Sequence, residues 1–284
     1  MTSRMTLITG ASRGLGAHLA SRFWRAGWSL VLVARDVSAL ANACVTFEKR
    51  PFQTLEFVSC DLASSDHIKK LSSSLKEKYQ SLDLIINNAA IQGPIGSLEQ
   101  NDFDEWLEAL QINLLAPVLL CKELIPLLSK VSNASIINLS GGGATGPRPG
   151  FSSYASSKAA LVRFSETIAD ELRAQNIRVN CIAPGAMKTN MLAEVLAFPG
   201  NAGERELGLA KKVFSEGGAS MDKVADLMLF LASDAGKGIT GKLISVAWDN
   251  WEEWPNHISE LNKTDAFTLR RIVGRDRNID WGDK

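Results

Sequence analysis

The 284-residue sequence lacks the signatures of several protein classes. Its four cysteines, Cys44, Cys60, Cys121 and Cys181, are scattered and form no C-x-x-C pair. This scatter indicates buried thiols in a reduced compartment rather than a disulfide framework or a zinc site. Neither sign of charge is in excess, since Lys plus Arg and Asp plus Glu both number 31. The balance gives no support for a nucleic-acid partner or for a polybasic membrane contact.

Long apolar runs and a leader segment are also missing from the pattern. The longest apolar runs have the length of a β-strand, which predicts no transmembrane span. The first strand begins within a few residues of the N-terminus and leaves no room for a signal peptide. Hydrophobic residues make up 45% of the chain, enough for a sizeable core. We therefore expect a soluble, cytoplasmic protein with no resident metal.

Seven short apolar runs alternate with segments whose apolar residues recur at helical spacing, such as HLASRFWRAG and VADLMLFLASD. Strands that are apolar throughout indicate a parallel sheet covered by helices on both faces. Right-handed crossovers then favour a doubly wound, Rossmann-like α/β fold. The predicted strands are RMTLIT, SLVLVA, TLEFVS, DLIIN, ASIINLS, IRVNCI and GKLISVA.

The composition changes near residue 247. Residues 1–247 contain no repeat, low-complexity tract or linker, and we interpret them as a single dinucleotide-binding and catalytic domain. The remaining stretch holds four of the chain's 7 tryptophans, which is too aromatic for a disordered tail. We therefore predict that residues 248–284 form an extension that docks on the body or on a neighbouring subunit.

A glycine-rich turn follows the first strand in TGASRGLGAHLA, with Gly10, Gly14 and Gly16. Glycine lets the backbone approach a ligand closely, and the N-terminus of the next helix presents free N–H groups and the positive end of its dipole. Three glycines alone are also typical of a tight turn. The strand before them and the helix after them favour a diphosphate site.

The second strand ends in SLVLVARD, where the choice of cofactor is made. An acid at this strand end contacts the ribose hydroxyls and favours NAD, whereas a nearby arginine accommodates the 2′-phosphate of NADP. Arg35 follows the strand and Arg13 lies in the glycine loop. Two guanidiniums able to reach one phosphate favour NADP. Asp36 argues the other way, and a solvated strand end at Arg35 and Asp36 is the alternative interpretation.

At this point the sequence resembles a short-chain dehydrogenase/reductase of the shorter, single-domain branch, from residue 5 to about residue 247. NNAA at residues 87–90 resembles the family's NNAG motif, and APGAMKT at 183–189 resembles its PG motif. ISVAWD departs from the VDGG that the family often has in the last strand. The glycine loop and the resemblance together imply a cofactor site formed by Gly10, Ser12, Arg13, Gly14, Leu15, Gly16, Arg35, Asp61, Leu62, Asn88, Ala89, Tyr154, Lys158, Pro184, Gly185 and Thr189.

Tyr154 and Lys158 stand four residues apart, which places them on one face of a helix. A tyrosine has an ordinary pKa of about 10, and a nearby ammonium or an oxidised nicotinamide lowers it. Tyr154 is then able to donate a proton to a carbonyl oxygen or to accept one from an alcohol. The resemblance implies that Lys158 also binds the nicotinamide ribose and that Asn113 holds a water. Pro117 predicts a helix kink that exposes backbone groups beside Asn113.

The resemblance also implies a strand-end serine, thirteen residues before the tyrosine, that stabilises charge on the substrate oxygen. That position is Gly141, and Ser140 stands one residue earlier. One residue of slip turns a side chain to the opposite face, but the glycines at 141–143 permit a bulge. A re-aimed Ser140, which we include with Asn113, Tyr154 and Lys158 as a catalytic candidate, and a site without that serine both remain open.

The sequence as a whole predicts an NADP-dependent oxidoreductase that interconverts a ketone or aldehyde and an alcohol. A catalytically silent NADP-binding protein and a related epimerase or C=C reductase are the alternatives. The resemblance implies a mobile lid at about residues 187–221 and a homodimer or homotetramer formed through long helices and the last strand. Arg148 is interpreted as a surface loop residue, with contact to an anionic substrate as the alternative.

Overall fold

A computed structural model describes residues 3–48 and 50–279. Each of the seven predicted apolar runs forms one strand of a parallel sheet, in the order β3-β2-β1-β4-β5-β6-β7. The predicted doubly wound α/β fold is confirmed. The strands are β1 (Met5–Thr9), β2 (Ser29–Ala34), β3 (Leu55–Ser59), β4 (Leu84–Asn87), β5 (Ala134–Leu139), β6 (Ile177–Ala183) and β7 (Leu243–Ser245).

Helices link successive strands and cover both faces of the sheet. Between β6 and β7 the link is longer than elsewhere and contains four helices. The α-helices are α1 (Gly14–Arg25), α2 (Val37–Ala43), α3 (Ser65–Lys78), α4 (Phe103–Leu110), α5 (Ala116–Leu128), α6 (Ser152–Glu171), α7 (Asn190–Ala197), α8 (Pro199–Ala202), α9 (Glu204–Glu216), α10 (Met221–Ala232) and α11 (Ile258–Lys263).

Two apolar cores lie on opposite faces of the sheet, because successive strand residues point to opposite sides. Leu7 and Ile85 belong to the core shared with α3, α5 and α6. Their neighbours Ile8 and Ile86 belong to the core shared with α1 and α10. This burial on both faces explains why the strands are apolar throughout rather than alternating.

The order of the strands reverses at β1, which pairs with β2 on one side and with β4 on the other. In an open parallel sheet, such a reversal leaves a crevice outside the carboxyl ends of the two strands, where ligands bind. Thr9 ends β1 and Asn87 ends β4, so the loops that follow them border this crevice.

One helical segment is long and apolar although its uninterrupted apolar runs are only strand-sized. Phe103–Leu128 is long and apolar enough, by length and composition alone, to cross a membrane. An 18-residue window within it has a mean hydropathy of 1.5, and 44% of that window is buried inside the structure. Leu120, Leu124 and Leu128 pack in the core between the sheet and α3. A helix packed in this way needs the same apolar surface that a membrane helix needs.

All four cysteines are buried and unpaired, as predicted. Burial raises the pKa of Cys121 and of Cys181 to about 12 and keeps both thiols protonated. Within residues 3–48 and 50–279, no group of His, Cys, Asp and Glu side chains is arranged to hold a metal ion.

The chain after residue 247 folds back onto the body. Trp254 and Leu261 are buried in the same core as α1 and α10, and the Trp251 ring lies 5.1 Å from that of Phe230 on α10. Trp248 is exposed, and Trp281 lies outside the described residues. Trp251 and Trp254 therefore anchor the extension on the domain, and burial of their apolar surface stabilises the contact.

Polar contacts join the extension to the last strand. The buried Lys242 ammonium donates to the carbonyl oxygens of Leu261 (2.7 Å), Thr264 (3.3 Å) and Ala266 (2.9 Å). The backbone N–H of Leu243 donates to the Phe267 carbonyl at 2.8 Å. The extension thus covers the outer edge of β7, which would otherwise present unpaired backbone groups.

Candidate active site

The glycine loop joins β1 to α1 beside the crevice. Gly10 and Gly14 have φ values of 65° and 55°, in the region that favours glycine. A Cβ at Gly16 would overlap the Gly10 carbonyl group, and a Cβ at Gly10 would lie 2.9 Å from the Ala89 Cα. The glycines therefore let the loop fold tightly against the β4 loop and turn into α1.

The N-terminus of α1 fits a diphosphate. Arg13 occupies the N-cap position without a side-chain cap, and no acidic residue lies in the first turn. The first N–H groups of this helix therefore keep their hydrogen-bonding capacity, and the positive end of its dipole faces the crevice. Leu15 is buried beneath the turn and Ser12 is half-buried within it.

Thr9 joins the two loops that border the crevice. Its hydroxyl accepts the backbone N–H groups of Asn88 and Ala89, both at 3.1 Å. The Asn88 amide nitrogen in turn donates to the Thr9 carbonyl at 2.9 Å and to the Gly10 carbonyl at 3.3 Å. Thr9 was not identified from the sequence, where its signal is a hydroxyl at the last position of the first strand.

After the end of β2, the carboxylate of Asp36 is already engaged. It caps α2 by accepting the Ala39 N–H at 3.1 Å, whereas Arg13 and Arg35 are exposed. Asp61 accepts the Ala63 N–H at 3.1 Å in the turn after β3, next to the buried Leu62.

The loop after β6 contains the predicted PG motif and approaches the glycine loop. Gly185 has a φ of 83° after Pro184. A Cβ at Gly14 would lie 3.7 Å from the Thr189 methyl group. The structure thus brings the predicted PG motif and the glycine loop together across the crevice.

Tyr154 and Lys158 lie one turn apart on α6, and both are buried. The Lys158 ammonium donates to the Leu139 carbonyl at 2.7 Å and lies 5.7 Å from the centroid of the Tyr154 ring. This hydrogen bond ties the first turns of α6 to the end of β5. The structure thus places Tyr154 and Lys158 on one face of α6, as predicted.

Burial changes the pKa of both groups in the direction that favours the neutral form of each side chain. The pKa of Lys158 is lowered to about 8. The pKa of Tyr154 is raised by burial, and the Arg148 guanidinium acts in the opposite direction. From the sequence, the lysine was expected to lower the tyrosine pKa, but burial raises it here and outweighs the opposing effect of Arg148.

Asn113 is fully buried in a π-helical turn, Gln111–Leu115, between α4 and α5. Pro117 lacks the N–H that would bond the Asn113 carbonyl in an α-helix, which favours such an irregular turn. The Asn113 side chain accepts the Ile91 N–H and donates to the Ile91 carbonyl, both at 2.9 Å. It also donates to the Ser157 hydroxyl at 3.1 Å. The asparagine therefore joins the β4 loop to α6, and the predicted sharp kink is a π-turn.

Gly141, rather than Ser140, faces the tyrosine. A Cβ at Gly141 would overlap the Tyr154 hydroxyl and would lie 3.1 Å from the Tyr154 Cζ. The Ser140 hydroxyl is buried and has no hydrogen-bond partner among the described residues. Of the two alternatives that the sequence left open, this geometry favours a site without a strand-end hydroxyl.

Arg148, interpreted from the sequence as a surface loop residue, lies beside Tyr154. Its guanidinium carbon lies 3.8 Å from the Phe151 ring centroid and 5.3 Å from the Tyr154 ring centroid. Its Nε and Nη2 lie 2.9 Å and 2.8 Å from one carboxylate oxygen of Glu206 on α9. Arg148 is therefore largely buried beside the tyrosine, and its interpretation as a surface loop residue is wrong.

Apolar residues of the segment predicted as a lid enclose the tyrosine ring. Val195 on α7, Ala202 on α8 and Ala210 on α9 form one buried cluster with Phe151 and Tyr154. This cluster removes the ring from water and is the physical cause of its raised pKa. The site combines a helix N-terminus for a diphosphate with a buried tyrosine–lysine pair at the same edge of the sheet.

Comparison with known proteins relates this arrangement to one family. A family profile described as short chain dehydrogenase matches residues 4–199. The 3-oxoacyl-(acyl-carrier-protein) reductase FabG of Thermotoga maritima is 30% identical over 248 residues, covering 87% of this chain and 97% of that protein. FabG of Chlamydia trachomatis is 28% identical over 87% of this chain and 96% of that protein.

A solved structure shares the fold over a similar range. The Pseudomonas aeruginosa RhlG/NADP active-site complex superposes with a TM-score of 0.74 and 27% identity, covering 86% of this chain and 95% of that one. The three compared proteins thus each match 86–87% of this chain.

We predict that Ser140→Ala keeps kcat within about threefold of wild type, because the lost hydroxyl has no partner and does not face Tyr154. Steady-state kinetics with NADPH and a ketone panel provide the measurement. Ser135→Ala is the matched control, since Ser135 on β5 is also buried and without a partner. A loss of about 100-fold in Ser140→Ala alone would mean that this hydroxyl reaches the substrate.

Proposed function

The chain belongs to the short-chain dehydrogenase/reductase family, and we propose that it is an NADP-dependent oxidoreductase that interconverts a ketone or aldehyde and an alcohol. The observation that carries this proposal is the burial of Tyr154 and Lys158 together on α6. The pair lies at the same edge of the sheet as the diphosphate-binding helix terminus, so a proton donor and a nucleotide site share one crevice.

In the reducing direction, Tyr154 donates its phenolic proton to the carbonyl oxygen while hydride reaches the carbonyl carbon. The nicotinamide, when bound, supplies that hydride. The raised pKa of Tyr154 keeps the phenol protonated near neutral pH, which suits a donor. Lys158, with a pKa lowered to about 8, remains largely an ammonium at that pH, and we assign to it the binding of the nicotinamide ribose. Asn113 holds the β4 loop against α6 and so keeps the two halves of the site in register.

NADP is the cofactor that the adenosine end supports. Arg13 and Arg35 are exposed there, and the carboxylate of Asp36 is engaged as a helix cap. Two guanidiniums suit a 2′-phosphate, whereas an engaged carboxylate is poorly placed to bind ribose hydroxyls. The similar Pseudomonas aeruginosa structure is described as an NADP complex.

We further propose that residues 1–247 act as one catalytic domain, with a lid at about residues 187–221 and an extension at 248–284. The apolar cluster between the lid and Tyr154 supports this division. A cytoplasmic homo-oligomer is part of the same proposal. Exposed Phe103, Leu107 and Leu115 on the α4–α5 run are suited to assembly through long helices.

Tyr154→Phe should lower kcat by about 10²- to 10⁴-fold, because the ring packing is kept and only the transferable proton is lost. NADPH binding, followed by the quenching of intrinsic fluorescence, should remain within about twofold of wild type. Tyr79→Phe is the matched control, since Tyr79 ends α3 and its hydroxyl bonds Glu56 on β3 rather than any group of the proposed site. Full turnover in Tyr154→Phe would overturn the acid–base role and leave the silent binding protein as the better account.

Arg13→Ala with Arg35→Ala should raise the KM for NADPH by at least about tenfold, because two charge-assisted contacts to the 2′-phosphate are lost. The KM for NADH, which lacks that phosphate, should barely change. The two cofactors are compared by kcat/KM in wild type and variant. A wild-type preference for NADH, or an equal loss with both cofactors, would contradict the proposed specificity.

A further inference from the structure

The three glycines after β5 make room for two side chains that meet at the active site. A Cβ at Gly141 would overlap the Tyr154 hydroxyl. A Cβ at Gly143, where φ is 94°, would lie 3.1 Å from the Arg148 Cβ, and one at Gly142 would lie 3.9 Å from its Nε. The glycine run therefore forms a surface on which Tyr154 and Arg148 rest side by side.

Arg148 also links three segments of the chain. It donates to Glu206 on α9 through Nε and Nη2 and to the Gln92 side-chain oxygen, 3.3 Å away, through Nη1. Gln92 is buried after β4, and its amide donates to the Met191 carbonyl on α7 at 3.3 Å. Two of the lid helices, α7 and α9, are thus bonded to the loops that carry the active site.

The charges of this network lie in a poorly solvated place. The side chains of Arg148 and Glu206 are only 12% and 14% exposed, and the guanidinium stacks on Phe151. Electrostatic interactions are stronger in such surroundings than in water. A cation 5.3 Å from the Tyr154 ring centroid favours the phenolate, and the carboxylate of Glu206 offsets part of that effect.

The other ionisable groups on the elements packed around Tyr154 have their own contacts or are exposed, including the remaining charged residues of α9: Glu204, Arg205, Lys211, Lys212 and Glu216. Lys158 on the same helix bonds the Leu139 carbonyl. On the lid segment, Glu194 interacts with Arg13, and Lys188 lies over the Phe214 ring. The acidic residues of α4, which packs against α6, are exposed: Asp104, Glu105 and Glu108.

We propose that Arg148 is a positioning residue that sets the proton affinity of Tyr154, and that Glu206 on the lid adjusts it. The inference rests on the proposed role of Tyr154. Withdrawal of Glu206 from Arg148 leaves the guanidinium uncompensated beside the phenol and favours the phenolate. The position of the lid and the protonation state of Tyr154 are therefore coupled through the ion pair between Arg148 and Glu206.

The test is a direct titration of Tyr154 that needs neither substrate nor turnover. The chain has 2 tyrosines, so protein labelled with ¹³C at tyrosine Cζ gives two NMR signals, and Tyr79→Phe assigns them. In that background, the Tyr154 pKa is compared among Arg148→Met, Arg148→Lys and Glu206→Gln. Arg173→Met is the matched control, because it removes an exposed arginine that pairs with Asp170 at the distant end of α6.

The pKa of Tyr154 should rise by about one unit or more in Arg148→Met, return toward the wild-type value in Arg148→Lys, and fall in Glu206→Gln. Arg173→Met should leave it unchanged. A Tyr154 pKa in Arg148→Met at or below that of wild type, or one in Glu206→Gln at or above it, would overturn the proposal. Because this readout is independent of catalysis, an inactive wild type would refute the proposed function without affecting the titration.

Discussion

The ammonium of Lys158 is buried and donates to the Leu139 carbonyl at the end of β5, and the geometry of the whole site depends on this bond. A buried charge without a partner is strongly destabilising, so α6 is held with its first turns against that strand end. This placement sets the Tyr154 hydroxyl against the Gly141 backbone. It also aligns α6 with the π-turn of Asn113, which bonds Ser157 one residue before the lysine.

The rest of the site is built around that fixed element by loops from the same edge of the sheet. Thr9 and Asn88 tie the glycine loop to the β4 loop, and Asn113 ties the β4 loop to α6. The lid is joined to these loops by its apolar cluster and by the Arg148–Glu206 pair. A hydroxyl is not required to place the tyrosine, because packing and the lysine bond already do so.

The sheet could be predicted from the sequence, because short runs that are apolar throughout, such as SLVLVA, are typical of parallel strands buried on both faces. It also predicted the tyrosine–lysine pair, which depends only on helical spacing. Arg148 was misjudged because its partner Glu206 lies 58 residues away, and no local pattern reveals such a contact. The long apolar segment Phe103–Leu128, which comprises α4, the π-helical turn and α5, was not recognised in the sequence. Lys122 and Glu123 interrupt its apolar residues without interrupting its buried face.

In the proposed reaction Tyr154 transfers the proton and the charged ammonium of Lys158 binds the nicotinamide ribose, so turnover requires both groups. The most direct measurement is the pH dependence of kcat/KM for the reduction of a non-ionising ketone by NADPH. Burial lowers the pKa of Lys158 to about 8, so the ammonium is lost as the pH rises through that value. The account predicts that kcat/KM falls by about tenfold per pH unit above it. A profile that stays flat up to a pH of about 10, the ordinary pKa of lysine, would contradict it.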